Sequence, residues 1–260
     1  SFIWLIVTLF FLQFEFNIIQ YLYYIIFILF LTNFILYFMS SPTNSYKISK
    51  PLFHNKSFVF GHIITVVYGL IDIFLIKLFL NSTDVAMYGV AFQLVSTISF
   101  LLGSINSATV SIIAESFVNE NKILFQRRVT YYARLIAFPS LLIVLVFVYF
   151  GKNILSLYGE QYVSSYDILI ILSFGQLVNT FCGSNGWLLN IANHENYIVK
   201  IFSATLFFKV VSGCILMYSY GLIGMVVASA LSMIIWNLIS LRGCIKLVGV
   251  DTSIFNVLKK

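Results

Sequence analysis

The sequence predicts an all-α fold, a polytopic membrane helical bundle of about eight transmembrane helices. Three observations carry that prediction. Hydrophobic residues make up 60% of the 260 positions and charged residues only 9%, against roughly 25% charged in soluble domains. The mean hydropathy is +0.99. Seven long apolar runs and one shorter run at the start follow one another along the chain, and a hydrocarbon core of ~30 Å takes about 20 apolar residues per helix.

The elements follow in order. Residues 2–14 form the shorter run; it has no basic residues before it, so it is not a secretory signal. Ser1 stands where a start Met would, and we read the chain as the C-terminal part of something longer, beginning inside a helix. Residues 18–38, rich in Tyr and Phe, are the second helix. Residues 39–56 hold Pro42, Pro51, Lys47, Lys50 and Lys56 and read as a loop between two halves. The third and fourth helices span 57–80 and 85–113. Residues 114–130 read as a polar link continuing as an amphipathic helix at the membrane surface. The fifth helix spans 131–150, with Pro139 expected to kink it, and 151–165 reads as a loop. The sixth spans 166–191, the seventh 197–218 and the eighth 222–247. The turn Tyr220-Gly221-Leu222-Ile223-Gly224 joins the last two, and 248–260 is a short tail.

Charge placement orients the bundle. Net charge is +6. With eight alternating spans, twelve lysines and arginines fall on one side, from Lys47 through Lys122, Arg127, Arg128, Arg134, Lys200, Arg242 and Lys246 to Lys260; the other side holds only Lys77 and Lys152. The first side is predicted to be cytoplasmic, together with the C-terminus. These cations are spread over several loops and do not form a nucleic-acid site. The three cysteines, Cys182, Cys214 and Cys244, make neither a disulfide framework nor a metal-ligand spacing. No P-loop, dinucleotide fingerprint or nucleophile elbow is present, so the reading is a non-enzyme with no cofactor and no metal.

Polar residues inside the apolar runs mark the candidate site. Gln176, Asn179, Gly183, Gly186 and Asn190 are spaced three, four, three, four, which keeps them on one face of a continuous helix. In a chain this apolar, the polar face turns inward, toward neighbouring helices or a wet cavity. Two readings stand side by side: a hydrophilic lining for a polar cargo, and helix packing through small residues and amides. The third helix has a similar face in Gly61, Thr65, Tyr68 and Asp72. The fourth has Gln93, Ser96, Ser99, Gly103, Asn106 and Ser107, and the eighth has Ser229, Ser232, Trp236 and Ser240. The candidate cavity-lining residues are therefore Gln176, Asn179, Asn190, Tyr68 and Gln93. Asp72 and Lys209 are charges at membrane depth, each costing about 2.5–3.5 kcal/mol at a helix centre. They read either as a coupling-ion or pyrophosphate site or as a structural ion pair.

In their order and helix spacing, five pieces carry a resemblance. They are Asp72-Ile73-Phe74-Leu75-Ile76; Asp84-Val85-Ala86-Met87-Tyr88-Gly89-Val90-Ala91; Leu157-Tyr158-Gly159-Glu160-Gln161-Tyr162; Gly175-Gln176-Leu177-Val178-Asn179 with Gly183, Gly186, Leu188-Leu189-Asn190 and His194-Glu195; and Tyr220-Gly221-Leu222-Ile223-Gly224. Over roughly residues 20–250 the chain resembles the C-terminal portion of the polysaccharide (O-antigen) flippases of the MATE-like exporter superfamily. The resemblance implies two pseudo-symmetric lobes around a central cavity. Residues 1–38 look like the end of the first lobe, 39–56 like a cytoplasmic inter-lobe loop, 57–247 like a six-helix second lobe and 248–260 like a cytoplasmic tail. The implied cargo is an undecaprenyl-pyrophosphate-linked oligosaccharide, an O-antigen or capsule repeat unit. It would cross the bacterial inner membrane by alternating access, with H+ or Na+ as driving ion and polysaccharide polymerase or assembly proteins as partners. Two rivals are a MATE-like ion-coupled drug exporter, which would favour cavity acids and aromatics, and a membrane-embedded oligosaccharide polymerase, which would present a long outer loop with catalytic charges.

Overall fold

The computed structural model describes residues 56–119 and 121–256. The expected helices at 2–14 and 18–38, the 39–56 loop except for Lys56, and the last residues of the tail lie outside them. The described residues form α1 (Lys56–Phe79), α2 (Ser82–Asn119), α3 (Lys122–Ser156), a 3₁₀ turn (Glu160–Ser165), α4 (Tyr166–Cys182), α5 (Asn185–Ile191), α6 (Glu195–Gly243) and a π-helical turn (Cys244–Val248). Among the described residues, four stretches are long and apolar enough to cross a membrane: Ser82–Val118, Lys122–Ser156, Glu160–Cys182 and Glu195–Val248.

The expected surface link at 114–130 is absent as a separate element. α2 runs 38 residues to Asn119, and α3 runs 35 from Lys122. There the Asn121 side chain accepts from the Ile123 N–H at 3.0 Å and caps α3. The expected 151–165 loop is likewise shorter, because α3 continues to Ser156 and the chain then turns into 3₁₀ geometry. Pro139 sits inside α3, and the helix continues through it.

α6 is a hairpin rather than one rod. Gly221 breaks it at φ 57° and ψ −141°, a left-handed backbone that glycine adopts without Cβ strain. The two arms then run antiparallel. Gly224 sits against the backbone of Leu216, Gly213 against Met225 and Ala228, and Gly243 against the ring of Tyr197. The Ser232 hydroxyl donates to the carbonyl of Thr205 at 2.9 Å. The turn expected at 220–224 is thus present, and the expected seventh and eighth helices are its arms.

The sixth helix, expected to be continuous over 166–191, is broken. Gly183 (φ 71°, ψ −162°) ends α4, and a seven-residue α5 follows. The break would orphan carbonyls at the end of α4, and the chain after the π turn supplies their partners. Thr252 Oγ1 donates to the Cys182 carbonyl at 2.8 Å and the Ile254 N–H donates to the Phe181 carbonyl at 3.1 Å. Gln126 fastens the same segment, donating to the Asp251 carbonyl at 2.6 Å and accepting from its N–H at 2.9 Å. Arg134 adds bonds to the carbonyls of Ile254 and Asn256. Residues 250–256 form a strap across the break.

α1, α2, α4 and α6 pack in a ring, each against the next, and α3 lies outside it on α2 and α4. α4 and α6 approach closely where Gly175 meets Ala230, 3.3 Å from its Cα to where a glycine Cβ would stand. Small residues allow that approach in membranes, where dispersion replaces the hydrophobic effect as the driving force. One apolar cluster includes Ile76, Tyr88, Ile98, Leu155, Leu169 and Met225. A second joins Ile113, Phe125, Leu188, Leu189 and Cys244. The outer surface is apolar: Phe100 is 77% exposed and Phe207 72%.

Candidate functional site

The ring holds a half-open cavity of about 320 Å³, at the lower end of the ~300–1,000 Å³ typical of small-molecule sites. Each helix contributes one face at helical spacing. α1 gives Thr65, Tyr68 and Asp72; α2 gives Tyr88, Phe92 and Ser99; α4 gives Leu172, Gln176 and Asn179. The first arm of α6 gives Phe202 and Lys209, and the second gives Ser229, Met233 and Trp236.

A charged cluster occupies one wall. Lys209 Nζ lies 2.7 Å from Asp72 Oδ1, with both side chains 4% exposed. The same ammonium donates to the Tyr68 carbonyl at 3.0 Å and stands 4.2 Å from the centre of the Tyr68 ring. The second carboxylate oxygen of Asp72 accepts from the Tyr88 hydroxyl at 2.6 Å. The Tyr68 hydroxyl donates to Ser232 Oγ at 2.9 Å, tying α1 to the second arm of α6. Three elements thus meet on one ion pair. Its burial makes both partners costly to leave alone.

The amide wall lies on α4 and α2. Asn179 Nδ2 donates to Gln176 Oε1 at 3.0 Å, and Gln176 Nε2 donates to Ser99 Oγ at 2.6 Å. The relay fixes both amide orientations and leaves each amide with unused donors and acceptors. Asn179 is only half-buried, so that capacity faces the cavity.

Five of the seven sequence candidates therefore share one cavity: Tyr68, Asp72, Gln176, Asn179 and Lys209. The other two are elsewhere. Asn190 is exposed on α5, because the break at Gly183 takes it off the α4 face. Gln93 is exposed on α2. The steps from Gln93 through Ser96 to Ser99 are all threes, each lagging a full turn by about 60°, so Gln93 ends well around the helix from Ser99. Sequence reasoning missed Tyr88 as a site residue, although it touches Asp72, and missed Phe92 and Phe202. Among the described residues no cluster of three or more His, Cys, Asp or Glu could hold a metal, and Cys182, Cys214 and Cys244 are free thiols.

A second, smaller cavity of about 10 Å³ lies beside Asn106, Ser184 and Trp187, at the α4–α5 break. It has room for one water.

The profile of the family described as MatE matches residues 58–212. No curated protein matches the chain, and no solved structure does.

Proposed function

The chain belongs to the MatE family, whose members are membrane transporters, and on that premise we propose that it moves an undecaprenyl-pyrophosphate-linked oligosaccharide across the bacterial inner membrane by alternating access. The observation that carries the choice of cargo is the state of Asp72, the one acid among the described residues that line the cavity. Asp72 is neutralised by Lys209 at 2.7 Å and capped by Tyr88 at 2.6 Å. A lipophilic cation finds no free carboxylate there. Neutral hydroxylated cargo finds the Asn179–Gln176–Ser99 relay, whose amides exchange hydrogen bonds with sugar hydroxyls. The exposed apolar outer faces leave a lipid tail in the bilayer while its head crosses. H+ or Na+ is the driving ion in this reading, and the end carrying Lys122, Arg127, Arg128 and Arg242 is cytoplasmic. Polysaccharide polymerase or assembly proteins take the product on the far side.

Deletion of the gene tests the reading, with three readouts in parallel: lipid-linked oligosaccharide pools, surface glycan and susceptibility to lipophilic cations. The expected result is accumulation of the lipid-linked precursor, loss of surface glycan and unchanged susceptibility. Unchanged glycan with raised susceptibility overturns it in favour of an ion-coupled drug exporter.

A further inference from the structure

A further part of the cavity lining, on α6, is aromatic. Phe202 on the first arm of α6 and Trp236 on the second lie with ring centroids 4.8 Å apart and planes tilted by 31°. Tyr68 meets Phe202 edge-on, centroids 5.5 Å apart and planes at 86°, and that contact holds the Phe202 ring in place. Phe202 and Trp236 are both half-buried and both line the cavity. The Tyr68 ring is already engaged by the Lys209 ammonium.

We propose that the outward face of the stacked Phe202–Trp236 pair seats one pyranose ring of the cargo, with Asn179 and Gln176 addressing that sugar's hydroxyls. The inference rests on the oligosaccharide reading above and adds a subsite to it. A pyranose has two chemically different surfaces. Its C–H face is apolar and slightly electropositive, and it seats on the negative face of an aromatic ring. Its rim carries hydroxyls that need oriented donors and acceptors. The cavity offers one surface of each kind on different helices, and its volume of about 320 Å³ has room for one ring. The two rings come from the two arms of the α6 hairpin, so the stacked pair itself joins the arms beneath the sugar. The amides stand on α4, so the same sugar links α4 to α6.

The test uses the full chain in cells that make its native glycan, with export measured per unit of membrane-inserted protein. Trp236→Phe keeps a ring and is expected to export within about twofold of wild type. Trp236→Leu and Trp236→Met both remove the ring and are expected to lower export at least tenfold. Two ring-free variants guard against one failing to accumulate. Phe202→Leu should reproduce the loss. Export by the Met or Leu variant equal to that of the Phe variant overturns the seat on the rings while leaving the oligosaccharide reading standing. Failure of the wild-type chain to restore glycan in the deletion strain overturns that reading itself. Unchanged glycan in Trp236→Met with increased sensitivity to tetraphenylphosphonium overturns the sugar assignment in favour of a cation resting on the rings.

Discussion

Lys209 reaches from the first arm of α6 to α1 and meets Asp72 at 2.7 Å, with both side chains almost wholly buried. Removing either partner alone leaves a buried charge without its counter-charge, a change that costs about 3–5 kcal/mol. Asp72→Asn and Lys209→Met are each expected to lower membrane accumulation and the unfolding temperature in detergent. The double variant is expected to recover most of both. A double variant no better than the worse single would show that the two charges act separately.

Tyr88→Phe removes the donor to the second oxygen of Asp72. The lost bond is to a buried charged acceptor, so the expected destabilisation is about 1.5–3 kcal/mol. Thermal unfolding of the purified protein checks this; an unchanged melting temperature in Tyr88→Phe would mean that the bond contributes nothing.

Two glycines three positions apart, one at the break and one inside α5, should respond differently. Gly183 has φ 71°, and a Cβ there would strike the Thr252 carbonyl; Gly186 has open space around it. Gly183→Ala is expected to destabilise by more than about 1 kcal/mol. Gly186→Ala, inside α5, is expected to be neutral or stabilising by up to ~1 kcal/mol. Equal melting shifts for the two would mean the strap does not hold the break.

Water and lipid can be told apart by chemistry. In a background lacking the three cysteines, Ser99→Cys and Asn179→Cys face the cavity, and both should react with a small hydrophilic maleimide. Phe100→Cys, at a position 77% exposed on the outer face, should react tenfold or more slowly, since that face meets hydrocarbon. Fast labelling at Phe100 with none at Ser99 would exchange the two surfaces.

Orientation has its own test. A reporter inserted between α2 and α3, beside Lys122, should read cytoplasmic, and one beside Glu160 in the 3₁₀ turn should read outside. The reverse pattern would invert the bundle.

How much of this was legible depended on how rare each signal is in an apolar chain. Asp72 and Lys209 stood out because charges inside such runs are few, and their pairing was one of two readings open from the start. The faces of α1 and α4 were legible because Thr65–Tyr68–Asp72 and Gln176–Asn179 keep helical spacing. The break at Gly183 was hidden by that very spacing, since Gly183 and Gly186 continue the three-four rhythm through a position whose backbone is left-handed. Tyr88 was hidden by abundance: it is one of 16 tyrosines, and nothing in its neighbours points to a carboxylate on another helix. The strap was hidden because its bonds run through backbone carbonyls, to which composition is blind. Gln126 and Asp251 are 125 positions apart.

The site around Asp72 also sets a timetable for the ribosome. Tyr88 follows Asp72 by 16 residues, while Lys209 follows Tyr68 by 141. At about 5–20 residues per second, the hydroxyl emerges within roughly 1–3 s and the ammonium only after roughly 7–28 s. For most of synthesis α1 therefore carries a carboxylate whose counter-charge does not yet exist. Its insertion is penalised by about 2.5–3.5 kcal/mol on insertion scales until the first arm of α6 arrives. Nascent chains stalled before Lys209 should leave α1 loosely inserted and open to insertase and protease, whereas chains stalled after Gly221 should have it locked in the bilayer.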